Sequence, residues 1–469
     1  MAITQKQNIS YLKKQFSSAK GSVSSLQLVA LHVGIGLSVA VIRPLAWLYF
    51  LGTFSFLLYQ LFRPNVKPVH ILMACAYLAG AEVFLRMTGA FVFSEIGKYS
   101  VMFFCLIGMY HHGIKRGAWI YFVFIILMSL SVYITYLNIP IGENFRKTVL
   151  FNLSGPLSLG TVAIYCMNRQ ISFKGLLGIL NALVYPIISI AFYIFIRAPK
   201  TSEVMEHTGS NFEASGGFGP NQISTILGLG LFVLFVRLLI PYKNHLLKLI
   251  MFGMMGIFAF RALVTMSRGG VFTALIMMFV FTLLFLLFSP AKFKAKGIVK
   301  LSFLFVGGLV LWSFTVIQTG GLLVNRYQNQ DVKGREKDIT TGRGDIVAED
   351  LALFNESPVW GVGPGMGKFI RFERTGYLAA AHNEISRMLA EHGVFGVISL
   401  LILLLVPGFK FLFKPANLLI IPFVLFWFLT VNHSAMRVAS PGVLYAFSLL
   451  SVNYAKKKKP SLSRQQTIQ

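Results

Sequence analysis

The stretch Pro358 to Phe369, PVWGVGPGMGKF, sets four glycines at alternate positions and closes on Gly367-Lys368. Glycine-rich loops of this kind can cradle phosphates with their backbone amides. A Walker-type nucleotide loop needs G-x-x-x-x-G-K-[ST], whereas here Val362 stands five residues before Gly367 and Phe369 follows Lys368. The hydroxyl that would hold Mg²⁺ is missing and no buried strand precedes the loop, so the nucleotide reading fails. Just downstream, His382 to Gly396 (HNEISRMLAEHGVFG) fits the pattern H-[NSQ]-x9-G-x-x-G, with His382, Asn383, Gly393 and Gly396 in place. Histidine titrates in the range useful for moving protons. Arginine, always ionised and forked to match phosphate oxygens, stands at three further points: Arg261, Arg268 in Ser267-Arg268-Gly269-Gly270, and Arg343 in GRGD. Arg261 and Arg268 are two helical turns apart on one face. Arg261 falls deeper in an apolar run, where an ionisable group is a functional hypothesis by default; snorkelling or a pair with Glu82 is the structural alternative. Glu82 and Arg86 stand at i, i+4 and can form an internal ion pair.

Such residues need a scaffold, and composition says which kind. Hydrophobic residues make up 55% of the 469-residue chain and charged residues only 13%, with mean hydropathy +0.69. A soluble domain carries about twice that share of charge. Apolar runs of about 17–25 residues, long enough to cross hydrocarbon as helix, recur from end to end. The predicted fold class is an all-α polytopic membrane protein with about 12–14 transmembrane helices. Cys75, Cys105 and Cys166 all lie in apolar runs with no CxxC or Cys/His spacing, so neither a disulfide framework nor a metal site is suggested. The net charge of +27 lies mostly in short connections, where the positive-inside rule and anionic membrane lipids account for it, and nucleic acid is not an expected partner.

Candidate spans fall near 26–42, 45–62, 70–86, 99–111, 118–138, 148–167, 175–197, 221–240, 246–265, 270–289, 299–317, 394–413, 417–432 and 437–454. An even number puts both termini on one side, and Lys456-Lys457-Lys458-Lys459 marks that side as cytoplasmic. The alternate connections agree: Arg63/Lys67, Lys115/Arg116, Arg169/Lys174, Lys243/Lys248, Lys292/Lys294/Lys296 and Lys410/Lys414 occur without a single Asp or Glu. Ten of the sixteen acidic residues lie between Asp331 and Glu391, on the other side. The resulting organisation is a basic amphipathic tail over 1–25, spans over 26–317 with an external loop at 198–220, a large external helical loop over 318–393, spans over 394–454, and a basic tail over 455–469. The glycine run then reads as an external turn between two helices of that large loop. Its amides, Gly361 and Gly363 among them, remain able to meet a phosphate. Lys368, Arg371 and Arg374 read as a solvated face, and His392 as a histidine favoured by a helix C-terminus.

The His382–Gly396 pattern, preceded by Arg343, an amphipathic helix and Pro358-x-x-Gly361-x-Gly363, resembles the O-antigen ligase and O-antigen polymerase superfamily of bacterial envelope glycosyltransferases. Ser267 to Gly270 and the loop Gly216 to Asn221 (GGFGPN) add to the resemblance, which covers roughly residues 200–413. It implies a multi-pass inner-membrane enzyme, without cofactor or metal, that moves a glycan from an undecaprenyl-diphosphate carrier to a lipid or glycan acceptor hydroxyl on the periplasmic side. It further implies His382 as the base for that hydroxyl and Arg268 and Arg343 as diphosphate ligands. Arg261, Arg86, Asn383, Gly361 and Gly363 become candidate substrate contacts. Ligase and polymerase stay open as alternatives within this reading, and a transporter of lipid-linked glycans is the competitor outside it, although transporters tend to show internal repeats and here the distinctive residues gather at one face.

Overall fold

The computed structural model describes residues 22–453 except 92, 241–243, 290, 338–342, 377–380, 414–416 and 435, with backbone alone at 22–24, 202, 292, 293 and 343. Residues 1–21 and the basic tail over 455–469 lie outside these residues, whereas 22–25, expected in the N-terminal tail, already belong to the first helix. The apolar runs form the helices α1 (Ser22–Val41), α2 (Leu45–Phe62), α3 (Pro68–Met87), α4 (Ile96–His112), α5 (Trp119–Leu130), α6 (Val132–Asn138), α7 (Phe145–Cys166) and α8 (Phe173–Arg197). After the four-residue α9 (Thr201–Val204) come α10 (Pro220–Leu239), α11 (His245–Val264), α12 (Arg268–Phe288) and α13 (Ala291–Gln318). The large loop contributes α14 (Leu322–Tyr327), α15 (Arg343–Glu356) and α16 (Gly367–Thr375), and the chain closes with α17 (Glu384–Phe413), α18 (Ile420–Ser434) and α19 (Ser440–Ser448). Among the described residues, ten helices are long and apolar enough to cross a membrane, so the chain is an all-α polytopic membrane protein.

The bundle is layered by exposure. α10 is enclosed on nearly every side, whereas α2 and α13 present exposed Leu48, Phe56, Phe303 and Phe305 at its rim, as helices facing lipid would. α3 and α1 pack along α8, and α12 and α11 along α10. The α10–α12 crossing is tight because both backbones are bare at the contact: a Cβ on Gly228 would lie 2.5 Å from the Gly270 carbonyl oxygen.

Two departures from the sequence expectation shape the site. The run over 118–138 is broken at Ser131, between α5 and α6, and the Ser131 hydroxyl donates to the Trp360 carbonyl of the large loop at 2.8 Å. The last expected span, 437–454, is helical only over the nine residues of α19, about 14 Å at 1.5 Å per residue. Every residue of α19 is buried in protein, which is the condition under which a chain can leave the helix at membrane depth. Beyond α19, β2 (Ser451–Asn453) pairs in parallel with β1 (Gln170–Ser172), the connection between α7 and α8.

The long α17 holds a sharp bend. Gly393 adopts φ 57°, ψ −135°, and a Cβ there would lie 2.6 Å from the Val359 carbonyl oxygen. Any side chain at this position meets both a disfavoured backbone conformation and a steric block. Gly393→Ala should therefore lower the melting temperature of the purified protein in detergent by several degrees, a conformational cost of about 1–3 kcal/mol before any clash. Gly408→Ala, on the same helix with nothing within 4 Å of its Cβ, should leave it unchanged.

Candidate functional site

The glycine run docks on the bend of α17 through its backbone. The Val362 amide donates to the Ala390 carbonyl at 2.9 Å, Gly363 to Glu391 at 3.0 Å, and Val394 to Pro358 at 2.8 Å. Gly361, at φ 67°, passes so close that a Cβ would lie 2.4 Å from the Glu391 carbonyl carbon. The Thr135 hydroxyl of α6 donates to Pro364 at 3.1 Å, completing the seat begun by Ser131. The run is thus a backbone lattice between α6 and α17, and its far end, Gly365 and Gly367, turns toward a cavity.

One wall of that cavity is the polar face of the first two turns of α17. Arg387 donates to Glu391 at 3.0 Å and to Asn152 of α7 at 2.8 Å, and makes a shorter contact with Glu384. The residues stand at i, i+3 and i+7 on one face. A second knot joins α16 to α15: Arg371, 3% exposed, donates to Glu349 at 2.7 Å and to Asp350 at 2.8 Å. Arg371 is therefore a buried bridge, not part of a solvated face. Asp350 also accepts from the Ser386 hydroxyl at 2.6 Å, which links the two knots. Burial pushes the Asp350 carboxyl above the ordinary aspartate range, while Ser386 and Arg371 pull against it.

The cavity has a volume of about 410 Å³. Cations reach it from five directions: Arg86 at the end of α3, Lys98 in the first turn of α4, Lys147 on α7, Lys368 and Arg371 on α16, and Arg437 after α18, besides Arg387 itself. Glu95, Glu143, Asp350, Glu384 and Glu391 also line it. The two arginines of the knots are neutralised locally by four carboxylates. Arg86 donates to the Arg437 carbonyl at 2.8 Å and lies 3.9 Å from Glu82. The ion pair read from the sequence is present but long, and the shorter bond goes to backbone. The remaining five cations outnumber Glu95 and Glu143 on the wall, and Phe151 and Met436 add apolar surface.

Of the residues singled out by sequence, Arg86 lines this cavity and Ala381, beside His382, does so too. His382 itself is half-buried at the entrance to α17. Asn383 caps that helix, its Oδ1 accepting from the amides of Ile385 at 2.9 Å and Ser386 at 3.3 Å. Gly361 and Gly363 face α17 and α6, while Gly365 and Gly367 are the glycines at the cavity. Arg343 opens α15, and its side chain lies outside the described part of the structure. Arg268 stands apart from the cavity: it donates to the Arg326 carbonyl at 3.2 Å and to the Asn329 side chain. Its neighbour Ser267 donates to Asn221 in the first turn of α10 at 2.7 Å, and the next residue of that helix, Gln222, reaches the cavity. Arg261 lies over Phe195 at 5.3 Å and Phe260 at 5.7 Å, with no hydrogen bond to Nε among the described residues and no pair with Glu82. Instead, Glu82 accepts from the Ala439 amide at 2.6 Å. His392 is buried at the bend of α17.

Residues 253–401 match the family model described as O-antigen ligase. The match runs from inside α11 to inside α17, about a third of the chain, and contains the SRGG turn, the glycine run and the His-Asn motif. No curated protein matches the chain. The match supports a membrane glycosyltransferase of the O-antigen ligase and polymerase kind, in agreement with the motif order. Arg86, Lys98, Lys147 and Arg437 lie outside the matched residues although they share the cavity.

Removing Arg387 would leave Glu384 and Glu391 buried without their cation. Arg387→Ala should cost about 3–5 kcal/mol of stability, read as a large drop in melting temperature or as failure to purify as a single species. Arg374→Ala breaks an exposed pair with Glu356 and should leave melting unchanged.

Proposed function

We propose that the chain transfers a glycan from an undecaprenyl-diphosphate carrier to an acceptor hydroxyl, with lipid A-core or a similar lipid-borne glycan as acceptor, at the periplasmic face of a bacterial inner membrane. The observation that carries the reading is a cavity lined with cations and walled by the His-Asn helix and glycine run of an O-antigen ligase segment. The expected orientation, with the basic connections and both termini in the cytoplasm, puts this cavity outside, where lipid-linked glycans are presented.

In this reading, the diphosphate rests among Arg86 and the other cavity cations, which stabilise the negative charge that grows on it as the bond to the sugar breaks. Arg343 joins them from the start of α15, the helix whose Asp350 lines the cavity. His382 accepts the proton of the acceptor hydroxyl, whose oxygen attacks the anomeric carbon. The carbon–oxygen bond to the diphosphate breaks on the opposite face, so the anomeric centre inverts and the carrier diphosphate departs. Arg268 acts at one remove, holding the turn that carries Ser267 and, through Asn221, the helix end bearing Gln222.

Purified protein is to be incubated with a carrier-linked oligosaccharide and either lipid A-core or a second carrier-linked unit, and the products resolved by mass. Transfer to lipid A-core is expected; transfer only to the second carrier-linked unit would assign a polymerase instead. His382→Ala should abolish transfer while the protein still inserts and purifies, and transfer by this variant at the native rate would remove His382 as the base. Arg86→Ala should reduce transfer about tenfold or more, as expected for a lost charge-assisted contact.

A further inference from the structure

Lys98 is a cavity cation for which the described residues supply no bonded partner. It is 3% exposed, in the first turn of α4, and it lines the cavity. No side chain or carbonyl among the described residues accepts a hydrogen bond from its ammonium, and no carboxylate lies within ion-pair distance of it. Glu82, Glu95 and Glu384 act on it only from further away, and Arg86 opposes them. The ammonium therefore opens on the cavity with no anion of the described residues bonded to it, free to meet an anionic group that enters there.

The backbone holds Lys98 in this position on purpose-built terms. Its own carbonyl accepts from the Ser158 hydroxyl of α7 at 3.4 Å, and the preceding Gly97 lets α4 press against Glu82, whose carboxyl carbon would sit 2.5 Å from any added Cβ. Gly97 thus allows the first turn of α4 to sink into the bundle, carrying Lys98 to the inner wall and not to the surface. The two arginines nearest in kind, Arg371 and Arg387, are each saturated by two carboxylates. Lys147 and Lys368 also lack such pairs among the described residues, but Lys147 is exposed and Lys368 half-buried, where water serves them. Lys98 alone combines near-complete burial, an open face on the cavity and no bonded anion among the described residues.

We propose that Lys98 is an anchoring cation for the phosphate of a lipid diphosphate, seating it at the α4 wall of the cavity. The proposal rests on the transferase reading for the identity of the ligand and adds a residue outside the O-antigen ligase segment to the site. Lys98 donates to a phosphate oxygen, and Arg86 closes on the same group from α3. The same chemistry would accept inorganic pyrophosphate, more weakly, because the lipid adds apolar contact.

The test uses the full chain in detergent, with a glycan-free polyprenyl diphosphate and inorganic pyrophosphate as separate probes, each titrated and followed by intrinsic fluorescence or calorimetry. Lys98→Gln should weaken both by about tenfold or more, the worth of a hydrogen bond to a charged group. Lys98→Arg, which keeps the charge, should stay within about threefold for the lipid. Pyrophosphate competing with the lipid would show that the phosphate is read by itself; pyrophosphate binding that ignores Lys98→Gln would overturn the seat. Native affinity in a folded Lys98→Gln protein would also overturn it, as would absence of lipid diphosphate binding in the native chain. If Lys98→Gln does not fold, the arginine variant carries the test, and its failure to bind either probe counts against the proposal. Lys98-dependent binding without any glycan transfer would sink the transferase reading and leave the seat intact, whereas transfer with Lys98-independent binding would do the reverse.

Discussion

The arrangement depends on one buried cation shared by two carboxylates. Arg387 sits between Glu384 and Glu391 and reaches across to the side-chain and backbone carbonyl oxygens of Asn152 on α7. Through it, the first turns of α17 are held against the membrane bundle, and through Ser386 and Asp350 the helices α15 and α16 are held against α17. Buried ion pairs seldom add net stability over apolar packing, because desolvation offsets their attraction. Their effect is to fix geometry: with one arginine and two carboxylates, few other registers of α17 on α7 leave every charge paired. The cavity is the space left when this register is satisfied.

Most of the scaffold was readable in the sequence because lipid imposes a simple rule. An apolar run of sufficient length has to be helical, so the long helices fall where hydropathy places them. The rule loses force where protein surrounds the chain, as at α19 and at the break between α5 and α6. Lys98 is hidden in the sequence for a related reason: a lysine reads as the end of an apolar run, which puts the span at 99–111, whereas α4 starts at Ile96 and takes Lys98 inside. Glu384, Arg387 and Glu391 were legible as an i, i+3, i+7 charge pattern within the His-Asn motif. Nothing in the sequence placed Arg437 beside Arg86, since 351 residues separate the two.

The cavity also divides by origin. The segment over 253–401, which matches the O-antigen ligase family model, contributes the His-Asn helix, the glycine run and the salt-bridged knots. The helices before it contribute Arg86, Lys98, Lys147 and Asn152, and the turn after α18 contributes Met436 and Arg437. Shared motif residues thus define one half of the enclosure, and residues that a motif search passes over define the other. Two chains alike over the matched segment could therefore present differently charged opposite walls to their ligands.

The burial of α19 has a consequence for how the protein is made. This helix fills the space between α18, α7 and α3, and the turn before it supplies Arg437 to the cavity and the Ala439 amide to Glu82. Glu82 and Ala439 are 357 positions apart. During synthesis, α3 and α7 enter the membrane with a hollow where α19 will lie and with Glu82 lacking this hydrogen bond. Arg437 and the Ala439 amide take their places only with this turn and α19, so the helices inserted before them leave that one wall of the cavity open. That wall of the site is therefore laid late in the order of synthesis, after the helices it closes.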